Sequence, residues 1–304
     1  MTSTPKSVLA LGEILWDVLP TEKLLGGAPA NLCHRLQQLG VNARMVSRVG
    51  NDPLGEELLA GLSALNFDLS LVQRDTVHPT GTVDVTLSSD GSPTFVINPD
   101  VAYDYLEPTR ELLEAAEKAT VICFGTLVQR SERTRSTIYA VLEAASHATT
   151  FLDINLRKNC YSPDTIRESL KRADILKLNE TEIILVSELL DMNEPTPPEF
   201  ASCVIEHFGI QTVLVTLGAK GVYARSASGE TCEVPGVAIS VVDTIGSGDS
   251  FAAGFVYKLI QSAPLEECCH FGNLIGALNA TKKGGMPDVS PAELNSFFAE
   301  HSGR

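Results

Sequence analysis

Positive charge is scarce in this chain: 23 Lys and Arg stand against 38 Asp and Glu, a formal net charge of −15 over 304 residues. Phosphate-backbone binding runs on clustered basic charge, so nucleic acid is excluded as a partner. No apolar run approaches the roughly 18 residues that a membrane span needs, and Glu13 and Asp17 interrupt the N-terminus before a leader-like stretch can develop. Neither a membrane partner nor export is expected; the expected location is the cytoplasm. The seven cysteines are odd in number, scattered and never spaced C-x-x-C, which argues against a disulfide framework or a zinc ribbon. Of the vicinal pair, one thiol of Cys268 and Cys269 is expected in the core and one at the rim of a helix, the alternative being a redox pair. The six histidines form no H-x-x-x-H pair and read as structural.

What is present is an alternation of short apolar runs with amphipathic stretches, the pattern of a mostly parallel sheet flanked by helices. Strands are expected at Val8–Leu11, Ile14–Val18, Ala43–Val49, Val121–Phe124, Thr150–Ile154, Ile175–Leu178 and Val213–Thr216. A helix begins near Pro29 and is closed by Gly40, and a second follows the Asn51-Asp52-Pro53 cap. Between Gly81 and Ile97 the pattern changes to strict alternation around an Asp90-Gly91 turn, a hairpin with one wet face. Such a hairpin does not belong inside a buried parallel sheet. With part of 14–25 it is expected to form a small projecting sheet, able to act as a lid. A second hairpin surrounds Ser226–Gly229, and helices are expected at Asp249–Gln261 and Leu265–Lys283.

Two glycine-led helix starts carry the chemistry. The first, Asp243-Thr-Ile-Gly-Ser-Gly-Asp-Ser-Phe-Ala-Ala-Gly-Phe255, places Gly246, Ser247 and Gly248 directly before an apolar-periodic helix. Free N–H groups and the positive dipole end then converge on one spot, an anion cradle. No Gly-Lys-[Ser/Thr] follows, so it is not a Walker A loop, and Phe251 breaks the G-x-G-x-x-G of a dinucleotide site. Asp249 at the mouth of the cradle has two readings: a favourable first-turn acid, or a general base beside the place where a phosphoryl group is received. The second start is Gly26-Gly-Ala-Pro-Ala-Asn31, with Asp17 upstream. A carboxylate and an amide near a glycine turn suit polyol hydroxyls, although a helix cap and a strand-end acid explain Asn31 and Asp17 equally.

Together these blocks resemble those of the ribokinase-like (PfkB) carbohydrate kinases, a resemblance that spans nearly the whole chain. Gly12-Glu-Ile-Leu-Trp-Asp-Val-Leu-Pro20, Phe124-Gly-Thr-Leu127 and Asp153-Ile-Asn-Leu-Arg157 look most like the fructokinase branch. The resemblance implies one domain over 1–304: a three-layer α/β/α core with a mostly parallel sheet and a lid from about 14–25 and 81–97. It implies transfer of the ATP γ-phosphate to a primary sugar hydroxyl, with Asp249 as base and Gly246, Ser247 and Gly248 as anion hole. Asp17, Gly27 and Asn31 would contact the sugar hydroxyls. Arg157 would reach the sugar or the transferring phosphate, a solvated loop arginine being the alternative, and Tyr103 would cover the sugar face, simple packing being the alternative. Asn179, Thr216, Gly218, Gly221 and Asn273 would serve the nucleotide, Glu182 would reach Mg²⁺ through water, and Asp243 would hold a monovalent cation such as K⁺. Fructose is the expected sugar; 2-keto-3-deoxygluconate, ribose and adenosine are the alternatives within the family, and an inactive sugar- or nucleotide-sensing protein is the alternative outside it. The assembly is left open between a monomer and a homodimer paired through the lid. Two departures from the family pattern are Ser247, in place of alanine, and Ile154, in place of proline.

Overall fold

The computed structural model describes residues 6–87, 93–192 and 196–301; the expected Asp90-Gly91 turn lies outside them. Among the described residues a nine-stranded sheet runs in the order β13-β12-β11-β10-β9-β8-β1-β4-β5. Its parallel part is β5 (Val72–Asp75), β4 (Asn42–Gly50), β1 (Ser7–Leu11), β8 (Val121–Phe124), β9 (Thr149–Asp153), β10 (Ile175–Asn179) and β11 (Thr212–Thr216). The hairpin strands β12 (Gly221–Ser226) and β13 (Thr231–Pro235) add antiparallel at one edge.

Strand β1 is apolar at four of its five positions and wholly buried, as a central parallel strand must be. Its alternation sorts the molecule into layers. Leu9 and Leu11 point into a core shared with α3 (Arg110–Ala116), α4 (Glu132–Ala144), α5 (Pro163–Leu170), α6 (Glu180–Leu189) and α7 (Pro197–Phe208). Val8 and Ala10 point into a second core with α1 (Ala28–Gln38), α2 (Pro53–Ala64), α8 (Ser247–Leu259) and α9 (Leu265–Ala280). The result is the expected three-layer α/β/α arrangement. Both Cys268 and Cys269 are buried, which corrects the expectation of one rim thiol: α9 is covered by α8 and also by β12 and β13, so neighbouring positions on it are both enclosed. All seven cysteines are free.

A separate four-stranded sheet, again among the described residues, has the order β3-β2-β6-β7, from β2 (Leu15–Val18), β3 (Lys23–Gly26), β6 (Thr82–Leu87) and β7 (Pro93–Ile97). Its base is tied to the main body where Trp16 Nε1 donates to the Leu54 carbonyl at 3.0 Å. Sequence periodicity did not reveal the short edge strand β5 or the terminal helix α10 (Pro291–His301). Helix α9 also stops three residues before the expected end, with Thr281 as its cap ahead of Gly284.

Candidate active site

In an open parallel sheet, ligands gather beyond the carboxyl ends of the strands, where strand order reverses. Here the reversal lies between β1, whose next neighbours are β4 and β5, and β8, which leads towards β11. A cavity of about 530 Å³ opens there, beneath the small sheet. Its walls come from the ends of successive strands: Glu13 after β1, Asp153 at the end of β9 with Asn155 just beyond, Asn179 on β10 and Thr216 on β11. The small sheet contributes Asp17 and an apolar roof that includes Val83 and Ile97.

Two helix starts meet in this cavity. Gly27, at φ +111, begins α1 so close to the chain that a Cβ there would fall 2.4 Å from the Glu13 carbonyl oxygen. Glu13 Oε1 accepts the Ala28 N–H at 3.1 Å and fixes that turn. Gly246, at φ +72, begins α8 in the left-handed region, and a Cβ there would meet Gly285 Cα at 2.6 Å. Only glycine fits either place. The N–H groups of Gly248 and Asp249, in the first turn of α8, have no partner within the helix, and both residues line the cavity. Across the junction Asn31 Nδ2 donates to Asp249 Oδ2 at 2.7 Å, joining segments 218 positions apart. The Asn31 amide is therefore not a helix cap, and its Oδ1 is buried without a partner.

The cavity is rich in charge. Lys177 Nζ lies 2.9 and 2.8 Å from the two Asp153 oxygens, with Lys177 only 6 % exposed. Burial works against the ammonium, but Asp153, Glu182 and Asp249 together outweigh it and hold the group above its ordinary range. Burial lifts Asp249 to about 6, Asp153 adding to the effect and the Asn31 hydrogen bond, Lys177 and Arg157 opposing it. Burial likewise lifts Asp17 to about 6 and Glu13 to about 7, with Arg157 opposing both. Asn179 and Glu182 form a reciprocal capping box on α6. The Glu182 oxygens accept the Leu156 and Asn179 N–H groups at 2.8 and 2.9 Å. Among the described residues no group of three or more His, Cys, Asp or Glu side chains is arranged to hold a metal ion. The Glu182 carboxylate, already accepting two N–H groups, suits a magnesium that keeps its waters and arrives with phosphates.

Of the residues singled out in the sequence, Asp17, Gly27, Asn31, Arg157, Asn179, Glu182, Thr216, Gly246, Gly248 and Asp249 line the cavity. Ser247 lies beside it with its hydroxyl buried and unpartnered. Gly218 and Gly221 shape the turn between β11 and β12, where a Cβ on Gly221 would fall 2.0 Å from the Val234 carbonyl oxygen. Asn273 stands outside the cavity, its amide donating to the Val234 and Pro235 carbonyls at 3.1 Å. Asp243 binds the Ile245 and Gly284 N–H groups at 3.0 and 2.9 Å and clamps two loops together. Tyr103 takes the packing alternative: it is 1 % exposed, packs against Gly81 and is not in the cavity lining. Glu13, Lys177 and Asn279 are not among the residues that the sequence motifs single out. A lysine inside the otherwise apolar run Ile175–Leu178 was the available signal for Lys177.

The pfkB family carbohydrate kinase model matches residues 12–292, which takes in every wall of the cavity. The chain belongs to the pfkB family of carbohydrate kinases. Fructokinase-1 of Oryza sativa subsp. japonica is 30 % identical over 97 % of this chain and 97 % of its own length. The fructokinase of Escherichia coli is 29 % identical over 92 % and 94 %. Among solved structures, fructokinase from Vibrio cholerae O395 in its fructose, ADP and calcium ion bound form aligns with a TM-score of 0.82 at 27 % identity, covering 97 % of this chain and 99 % of that one. A double mutant of that fructokinase, in a fructose, ADP and potassium ion bound form, aligns with a TM-score of 0.82 at 27 % identity, over 98 % and 99 %. As a pfkB carbohydrate kinase, the chain is a sugar kinase with the ribokinase-like fold.

Proposed function

We propose that this pfkB kinase phosphorylates fructose, using ATP with Mg²⁺ and a monovalent cation at Asp243. The carrying observation is the 2.7 Å contact between Asn31 and Asp249. It brings the polyol-binding helix start and the carboxylate at the anion cradle to one point at the end of a cavity. In the reaction the alcohol oxygen bonds to the γ-phosphorus while the bond from phosphorus to the bridging oxygen breaks. The electron pair leaves with ADP, and the alcohol proton passes to the Asp249 carboxylate, which burial has tuned towards neutral pH. The N–H groups at Gly248 and Asp249 receive the phosphoryl oxygens. Mg²⁺, reached from Glu182 through water, would neutralise charge on the phosphates. The small sheet would close over the sugar and exclude water, so that transfer beats hydrolysis. It would also pair two chains, its strand β7 exposing half of Val96.

Charge in the cavity favours a neutral sugar. Glu13 and Asp17 would repel a sugar acid, and Lys177 is already engaged by Asp153. Among the described residues Arg157 is the cavity cation with no carboxylate partner. The test is a coupled ADP-release assay over hexoses, pentoses, nucleosides and keto-deoxy acids. Fructose should give the highest kcat/KM. Equal rates over the panel would remove the fructose assignment, and no ADP release with any acceptor would leave a sugar- or nucleotide-binding protein.

A further inference from the structure

Lys177 stands where the sequence gives no family motif. It projects from the middle of β10 into the cavity wall, 6 % exposed, and its ammonium is chelated by both oxygens of Asp153 from the neighbouring strand β9. The other side of the ammonium meets the cradle. A Cβ built on Gly248 would have Lys177 Nζ as its nearest neighbour, at 3.5 Å. A full positive charge therefore sits against the backbone turn whose N–H groups open α8, next to Asp249.

Burying an ion pair is costly, and replacing one by apolar residues is often neutral or stabilising. A pair kept at the reacting end of a cavity, when it adds little to stability, points to use of its field. Fixed charge in a water-excluded site acts strongly on charge that develops during reaction, and needs no reorganisation at that moment. Asp153 supplies the fixing: two hydrogen bonds leave the ammonium one position, so it cannot swing away or escape to solvent.

We propose that Lys177 is an electrostatic positioning residue of phosphoryl transfer, its ammonium placing fixed positive charge beneath the Gly246–Gly248 turn as the phosphoryl group is received there. The role deepens the kinase reading above and rests on it. It differs from that of the backbone N–H groups, which give direction but carry only partial charge.

Two measurements on the full-length chain test this. The first compares Lys177→Met with the double variant Lys177→Met/Asp153→Asn, which removes the orphaned carboxylate and so protects folding. Both should lose about 10²-fold in kcat, with KM for fructose changing less than threefold; Lys177→Arg should recover at least a tenth of the wild-type kcat. A double variant within threefold of wild type would overturn the proposal, because Lys177 would then serve only to neutralise Asp153. The second needs no acceptor turnover: the affinity of wild type and the double variant for Mg-ADP, with and without aluminium fluoride, a mimic of the phosphoryl group in flight. The double variant should lose at least tenfold with the fluoride and less than threefold without it; equal losses would overturn the proposal. A wild-type chain that phosphorylates no sugar would sink the kinase reading, and the aluminium fluoride comparison would still decide the role of Lys177.

Discussion

At the residue scale the site is a balance around one carboxylate. Asp249 must be ionised to accept a proton, yet burial and Asp153 push it towards neutrality while Asn31, Lys177 and Arg157 pull it back. The outcome, about 6, leaves it charged at pH 7 and still basic enough to be useful. Asp249→Asn should therefore cut kcat by about 10²–10⁴ while sugar and nucleotide affinities stay within threefold, as binding experiments on the inactive variant would show. In the wild type kcat/KM should fall as pH drops through about 6. Arg157→Leu removes one of the opposing cations, so the same limb should move to higher pH; an unmoved limb would take Arg157 out of the electrostatics of Asp249.

At the element scale, the two helices that carry Asn31 and Asp249 must keep a fixed relation, and one side chain of α9 secures it. Asn279 is fully buried and its Oδ1 accepts from Arg35 of α1 at 3.1 Å and from Ser250 of α8 at 3.0 Å. Its Nδ2 donates to the Ile245 carbonyl at 2.8 Å, just before the cradle. Asn279→Leu leaves the buried Arg35 guanidinium without that acceptor and should cost about 2–4 kcal/mol in urea unfolding, whereas Asn279→Asp should lose much less. The departure at Ile154 has a similar local account. Its N–H donates to the Lys177 carbonyl at 3.0 Å and continues the β9–β10 ladder, so a proline here would remove a bond beside the Asp153–Lys177 pair. Ile154→Pro should lower stability and raise KM for the sugar through the loop that carries Asn155 and Arg157. Elements like these were partly legible. The Gly40 stop and the Asp52 cap were readable because a positive φ and an unpaired N–H each demand one of a few residue types. Strand β5 was not, because Val-Gln-Arg-Asp carries no apolar alternation and is held only by pairing with β4.

For the whole molecule, the raised carboxyls of Glu13, Asp17, Glu182 and Asp249 make the site a stability liability at neutral pH. Glu13 titrates near 7 when folded and at 4.5 in its unperturbed state, so the folded chain binds the proton more tightly. Its contribution is complete below about pH 4.5 and is lost as pH rises through about 7. Asp17 and Asp249 act in the same direction between about 3.8 and 6. Glu13→Gln mimics the protonated form and should raise stability at pH 8 by on the order of 3 kcal/mol, while changing it little at pH 4. Thermal melts at the two pH values check this, and an equal change at both would refute it.

The sequence by itself determined the layers and the two helix starts. Apolar periodicity, paired glycines and caps are local demands, met within a turn or a strand. What brought Asn31 against Asp249, set Lys177 under Gly248 and sent Tyr103 into the core was decided only by tertiary structure. Those contacts depend on which strand ends lie side by side where the sheet changes direction, and on burial. No neighbour along the chain encodes either, because a lysine in a strand or an asparagine in a helix looks the same until the sheet has closed around it.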